Sequence, residues 1–272
     1  AVNALIIRHG ALRTMALPSG KQQIDPPQSV GKFELVIHSM SETKSEGDEA
    51  VEEHRRALLY NFALSERSFH IDAVQLGEGG AFRVFFVFDL LVADARALTV
   101  LADELWALYC NAEAKLPEMT LTMPWYVAAV KQRKEQDAEQ MRREETFWAK
   151  LCDQEPEDGG LHPHPQLPLA ADPGRCELSR LSSSIDAEKW QRIVKLCRAE
   201  GLTESALLFA CYCSILATWS SSKKFTMNAA LFGRDTDLHA EAANLVGNLS
   251  STMPVPVDAT RKAAPSLRAL AT

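Results

Sequence analysis

The 272-residue sequence predicts an α/β protein, an α+β sandwich organised as two lobes. Three observations lead there. Strand-like and helix-like hydrophobic patterns alternate along the chain. The run Phe82–Phe88 (FRVFFVF) is apolar almost throughout, as expected of a strand covered on both faces by helices. Residues 153–175 are rich in Pro, Gly, Asp and His, a composition that interrupts regular structure and marks a lobe boundary. The expected organisation is an N-terminal lobe over 1–152, a linker over 153–178 and the start of a C-terminal lobe over 179–272.

Residues 1–15 read as an amphipathic helix, followed by a turn at Pro18-Ser19-Gly20 and a short strand over 21–24. After a polar, acidic stretch, residues 49–62 read as helix. Residues 69–75 and 82–88 read as strands joined by a turn at 77–80. From Ala97 onward Leu98, Leu101, Leu105 and Leu108 recur at spacings of three and four, the signature of one helix face, with Asp94 placed to cap it. Residues 131–145 carry dense charge of mixed sign and run into Phe147, Trp148 and Leu151, which predicts a solvated helix docking at its far end. Asp186 is placed to cap a helix with Trp190, Ile193, Val194 and Cys197 on its apolar face, ending at Gly201. Thr203 caps another over 204–219, apolar on nearly all sides and therefore expected to be buried. A strand over 225–232 follows, then Gly233-Arg234. No repeat at solenoid periods is present.

Hydrophobic residues make up 46% of the chain and charged residues 24%, as in soluble globular proteins. The formal charge of −7 argues against a phosphate-binding surface, so no nucleic-acid partner is expected. No apolar run approaches the roughly 20 residues a membrane helix needs, so no membrane partner is expected either. The six cysteines (Cys110, Cys152, Cys176, Cys197, Cys211 and Cys213) form no CxxC pair and read as reduced core thiols, which favours the cytoplasm. His9 reads as a helix-face or junction residue. His162 and His164 sit in a proline-rich linker without ligand spacing, so no metal site is expected.

Several segments in collinear order resemble the heterocyclization branch of the condensation-domain superfamily of nonribosomal peptide synthetases. LIIRHGALR near the start is similar to that family's "RHxxLR" helix. FDLLVADARAL, residues 88–98, resembles the Asp-x4-Asp-x2-Ser signature that replaces the His-His-x3-Asp-Gly of ordinary condensation domains. LPLA (167–170), IDAEKWQRI (185–193) and GLTESALLFACYCSILATWS (201–220) resemble the path into the second lobe. FTMNAALFGR (225–234) and LVGNLSS (245–251) resemble "FTLNLTLFNR" and "LVGDFTS". The resemblance implies two chloramphenicol-acetyltransferase-like lobes, the first lacking its opening strand and helix and the second partial.

It also implies an activity of the kind used in siderophore and thiazoline biosynthesis. The amine of a carrier-bound Cys, Ser or Thr attacks an upstream thioester, and the side chain then closes on the new amide to give thiazoline or oxazoline. Implied partners are upstream and downstream peptidyl or aryl carrier proteins and an adjacent adenylation domain. Substrates would ride on 4'-phosphopantetheine, with no cofactor bound by the domain itself.

Ring closure needs a base for the side-chain nucleophile, oxyanion stabilisation and an acid to expel oxygen. Asp89, at the end of the apolar strand, is a candidate proton shuttle if desolvation raises its pKa. Asp94 is a candidate catalytic carboxylate, with capping or pairing with Arg234 as its structural role. The signature Ser is Ala97 here. The Thr and Asp that the family associates with cyclodehydration are replaced by Ala230 and Asn248, which cannot transfer protons in the same way. Asn248 remains a site candidate for its position; Asn228, Ala97, Ala230 and Arg234 are candidates for shaping the tunnel. These substitutions favour condensation without cyclization, since amide formation can rest on positioning two tethered substrates. They leave open a catalytically inactive scaffold that binds carrier proteins. A free-standing acyltransferase is disfavoured by the missing His-x3-Asp pattern.

Overall fold

The computed structural model describes residues 1–40, 44–61, 68–76, 81–156, 160–169 and 181–260. The chain divides into two compact units, one formed by residues 1–137 with 232–251 and the other by 138–231 with 252–272. This partition differs from the linear 1–152, 153–178 and 179–272 division expected from composition. Hydrogen bonds from Leu249 and Arg234 to Asp94, and from Tyr126 to Gly233, return the segment after the β6 strand (Lys224–Phe232) to the first unit. The turn at 77–80 and much of the expected linker, including Cys176, lie outside the described residues.

In the first unit, helix α1 (Val2–Arg8) stops far short of residue 15. His9 adopts an extended backbone, a 3-10 turn covers Gly10–Arg13, and β1 (Thr14–Ala16) pairs antiparallel with β2 (Gln22–Ile24). The Arg13 guanidinium explains the early stop: it donates to the carbonyls of Ile6 and Ile7, both at 2.7 Å, satisfying acceptors that a continuing helix would have used. Gly20, at φ +76°, makes the tight hairpin turn that side chains disfavour.

A three-stranded sheet has the order β3 (Val36–Met40), β4 (Phe69–Leu76), β5 (Phe82–Phe88). β3 runs parallel to β4, with helix α2 (Lys44–Asn61) as the crossover, and β4 is antiparallel to β5. β3 falls in the stretch that sequence composition marks only as polar. The strand covered on both faces is β4, not β5. Phe69, Ile71, Ala73 on one face of β4 and Asp72, Val74 on the other are all buried, whereas Phe82, Val84 and Phe86 of β5 are exposed. The reason is position: β4 is central and β5 is the edge of the sheet, so an apolar run marks a strand without fixing what covers it.

Helix α3 (Ala95–Cys110) and α1 pack on the Phe69/Ile71 face, where Leu5, Ile6, Val92, Ala97, Val100 and Leu101 complete the core. Each such Leu, Ile or Phe contributes about 1.5–3 kcal/mol by leaving water. Helix α4 (Met123–Gln136), capped by Thr122, places Tyr126 against Leu121, Ala242 and Leu245 in a second small core.

The second unit contains α5 (Ala138–Asp153), α6 (Ala187–Ala199), α7 (Glu204–Trp219), β6 and β7 (Ser250–Asp258); β6 pairs with β7. The charged run predicted as one helix is two, broken at Asp137 (φ −99°, ψ 64°). No residue of α5 is fully buried and Phe147 is exposed, so the expected docking is limited to half-buried Trp148 and Leu151. Asp186 and Thr203 cap α6 and α7 by accepting from the N–H groups of Lys189 and Ala206. α7 is not buried all round. Ala210, Cys213 and Ala217 are buried, and Cys213 and Ala217 join Phe225 and Val257, but Leu208, Tyr212, Ile215 and Trp219 are exposed. Among the described residues one flank of the helix is covered, so its uniform hydrophobicity overstates its burial.

The cysteines divide likewise. Cys197 and Cys213 are buried, Cys211 is half-buried, and Cys110 and Cys152 are exposed, contrary to a uniform set of core thiols; all five are unbridged. No single described helix is long and apolar enough to cross a membrane.

Candidate active site

The signature segment lies where β5 ends and α3 begins, and its backbone is fixed before any side chain reaches outward. The Asp89 N–H donates to the Ser68 carbonyl (3.0 Å), and the Asp89 carbonyl accepts from Val92 (3.0 Å) and Ala93 (3.3 Å). The Asp89 carboxylate accepts the Leu91 N–H at 2.7 Å, a local turn in which an Asp side chain stands in for a backbone acceptor. Asp89 is half-buried, because the strand it terminates is the sheet edge.

Asp94 is the deeply buried carboxylate of the segment. Its Oδ1 accepts the Ala97 N–H (2.8 Å) and Arg234 Nη2 (2.8 Å); its Oδ2 accepts the Leu249 N–H (3.0 Å) and Arg234 Nη1 (2.8 Å). Capping of α3 and pairing with Arg234, considered separately from sequence, occur together. The side chains of Arg234 and Asp94 are only 5% and 2% exposed. Burial by itself would raise the Asp94 pKa, but the bonds from Arg234, Ala97 and Leu249 outweigh it and hold the carboxyl below its ordinary range. A carboxylate so held is a weak proton acceptor near neutral pH. Ala97 lacks a hydroxyl, yet its backbone amide holds Asp94 and its buried methyl joins the core.

Arg234 also donates to the carbonyls of Leu245 (3.0 Å) and Gly247 (3.3 Å), so a single guanidinium gathers the 245–249 segment around the start of α3. Gly233 lets the chain approach: its N–H donates to Leu249 O at 3.0 Å, and a Cβ at Gly233 would lie 2.8 Å from that same oxygen. The Tyr126 hydroxyl donates to Gly233 O (2.9 Å) and accepts from the Asp235 N–H (2.7 Å), while Arg133 pairs with Asp235 at 2.6 Å. Asn248 is exposed and turned to its own strand, accepting from the Ser250 N–H (3.1 Å) and hydroxyl (2.5 Å). Asn228 and Ala230, two apart on β6, are exposed in the second unit.

An apolar cavity of about 550 Å³ reaches the segment, lined by Leu5, Phe69, Phe86, Leu98 and Leu101 together with Asp94. A smaller one of about 300 Å³ lies beside Arg8, His9, Leu121, Met123 and Val246. His9 is a buried junction residue after α1, as expected, with Nε2 2.7 Å from Glu104, which also pairs with Arg8 at 3.1 Å. Burial opposes the Glu104 charge, but His9 and Arg8 prevail and hold its pKa low. His164 Nδ1 donates to Thr226 O at 3.1 Å.

Sequence reasoning missed Tyr126, Gly233, Glu104 and the backbone partners of Asp94, because these contacts join residues about 95 to 155 positions apart. It also missed a group of His and Asp side chains on β3, α2 and β4, the one group among the described residues able to hold a metal ion.

A sheet edge feeds a capped helix through the Asp89-to-Asp94 turn, and the distant Arg234 pins that turn. Residues 1–270 match the condensation domain family, and the chain belongs to it. It is 30% identical over 261 residues to phenyloxazoline synthase MbtB of Mycolicibacterium paratuberculosis, covering 95% of this chain and 21% of that protein. It is 29% identical over 236 residues to pyochelin synthetase PchE of Pseudomonas aeruginosa, covering 85% and 16%. The solved cyclization-docking bidomain of the EpoB nonribosomal peptide synthetase from Sorangium cellulosum matches with a TM-score of 0.82 at 25% identity, over 99% of this chain and 52% of that one. The chain thus spans about a fifth of the first curated relatives and about half of that solved chain. The expected α/β fold is the fold of these neighbours, and the likeness to the heterocyclization branch holds.

Proposed function

We propose that the chain serves an assembly line as an amide-forming domain of heterocyclization descent, joining a carrier-bound acyl group to a carrier-bound Cys, Ser or Thr. Both substrates would arrive on 4'-phosphopantetheine arms of carrier proteins, with an adenylation domain alongside, in the cytoplasm. The observation that carries this reading is the saturation of Asp94: two N–H donors on each oxygen make it a residue that positions the loop, not one that moves protons. With Ala230 in place of a hydroxyl and Asn248 turned to Ser250, the groups that ring closure needs are reduced to Asp89. Positioning of the amine and thioester suffices for the first bond, so the linear amide is the proposed product.

The test is incubation with a loaded donor carrier and a cysteinyl or threonyl acceptor carrier, followed by intact mass spectrometry. The linear amide supports the proposal; a product lighter by one water assigns full heterocyclization instead. Carrier binding with no transfer assigns the catalytically inactive scaffold, a reading favoured by the same saturated Asp94 and the exposed Ala230.

A further inference from the structure

Three histidines from three different elements converge on one oxygen. His70 and Asp72 lie two apart on β4 and share a face of the sheet. His38 on β3 is in register with Val74, which places it on that face as well. His54 descends from α2. The Nε2 atoms of His38, His54 and His70 lie 3.2, 3.1 and 3.2 Å from Asp72 Oδ2. Asp72 is 2% exposed at the centre of the sheet, and its second oxygen, Oδ1, is buried with no hydrogen-bond partner among the described residues.

As a purely hydrogen-bonded cluster this is unbalanced. One oxygen takes three donors and its twin takes none, although an ionised carboxylate accepts through both and a buried acceptor left unpaired is costly. A divalent cation resolves both faults. The imidazoles then present lone pairs to the centre instead of N–H groups, and the second carboxylate oxygen can turn toward the ion. His38, His54 and Asp72 each offer a ligand atom, all within 4.8 Å of one another; ligands at roughly 2.0–2.2 Å from one zinc sit somewhat closer together than that limit, so small side-chain rotations would draw them onto a shared ion. Two imidazoles and a carboxylate suit Zn2+ better than Ca2+ or Mg2+, which prefer oxygen alone.

We propose that His38, His54 and Asp72 form a Zn2+ site that ties β3 and α2 to the central strand, with His70 orienting the carboxylate from outside. Metal ligands are commonly steered by such a neighbour. Among the described residues the entry is uncovered: the side chains of His38 and His70 are 41% and 42% exposed, while those of His54 and Asp72 are 15% and 3% exposed. The site lies on the face of the sheet opposite Phe69 and Ile71, the face on which α3 packs, so the proposed role is structural.

The experiment strips the chain with chelator and titrates it with Zn2+ against a chromophoric competitor. A parallel titration with Co2+ alone reads the visible absorption of a low-coordinate ion. One equivalent should bind, and Zn2+ should raise the thermal midpoint. His38→Ala and His54→Ala should each weaken binding at least tenfold, whereas the double variant His162→Ala/His164→Ala in the proline-rich segment should bind as the parent does. His38 is half-exposed, so His38→Ala decides the matter even where His54→Ala fails to fold. Absence of stoichiometric binding by the parent, binding unchanged in His38→Ala, or loss in the His162/His164 variant would overturn the proposal. None of these outcomes bears on the amide-forming assay.

Discussion

Arg234 holds both oxygens of Asp94 at 2.8 Å across 140 residues of sequence, with the two side chains almost wholly out of water. This pair, and not the Asp-x4-Asp spacing alone, is what makes the loop a defined structure.

Removing one partner leaves the other charged and buried. Arg234→Ala should therefore destabilise the chain by about 3–5 kcal/mol, the usual cost of breaking a buried ion pair. Arg234→Lys should recover only part of this, since an ammonium cannot reproduce the two-pronged contact or the bonds to Leu245 and Gly247. Denaturant unfolding of the three proteins checks the order.

The pair also sets an acid limit. The folded-state pKa of Asp94 is below its unfolded value, so its stabilisation is fully present above the ordinary aspartate range of about 3.9 and disappears as pH falls through the lower folded value. Glu104 acts in the same direction, held low against its own burial by His9 and Arg8. The thermal midpoint should hold steady from pH 7 to 5 and fall steeply below about pH 4. Asp94→Asn should be less stable at pH 6 and show a shallower acid decline; parallel slopes would remove Asp94 from the explanation.

Gly233 allows close approach rather than unusual dihedrals. A methyl there would lie 2.8 Å from the backbone oxygen of Leu249, which cannot swing aside as a side chain could. Gly233→Ala should cost on the order of 1–3 kcal/mol, as other overpacking changes do. It should also reduce transfer by displacing Arg234. Unfolding and turnover measured together check both parts.

Ring formation can be tested by restoration. The double change Ala230→Thr with Asn248→Asp should create or raise the heterocycle fraction while leaving amide formation in place, read by the mass difference of one water. In the same assay Asp94→Ala should abolish transfer through loss of the loop, with a matching loss of stability. Added to the restored double variant, Asp89→Ala should lower the cyclized fraction selectively; equal heterocycle yield would end its role as a proton shuttle.

What could be read in the chain before its structure follows how locally each feature is determined. The α3 cap was visible because Asp94 and Ala97 are three residues apart; the α6 and α7 caps were visible for the same reason. Burial was not. FRVFFVF looks like a central strand and lies at the edge, whereas FHIDAVQL, with His70 and Asp72 inside it, is the strand covered on both faces. The early end of α1 depends on Arg13 reaching back to two carbonyls, and the break at Asp137 has no Pro or Gly to announce it.

By itself the sequence determined the family, most strands and helices, and the substitutions at Ala97, Ala230 and Asn248, because these depend on residue identity and on periodicities a few positions long. Only the tertiary structure decided that Asp94 is saturated by Arg234 and Leu249, and that His38, His54 and His70 meet at Asp72. Those contacts form when elements distant in the chain share one core, and nothing in the local order of residues encodes which side chains then become neighbours.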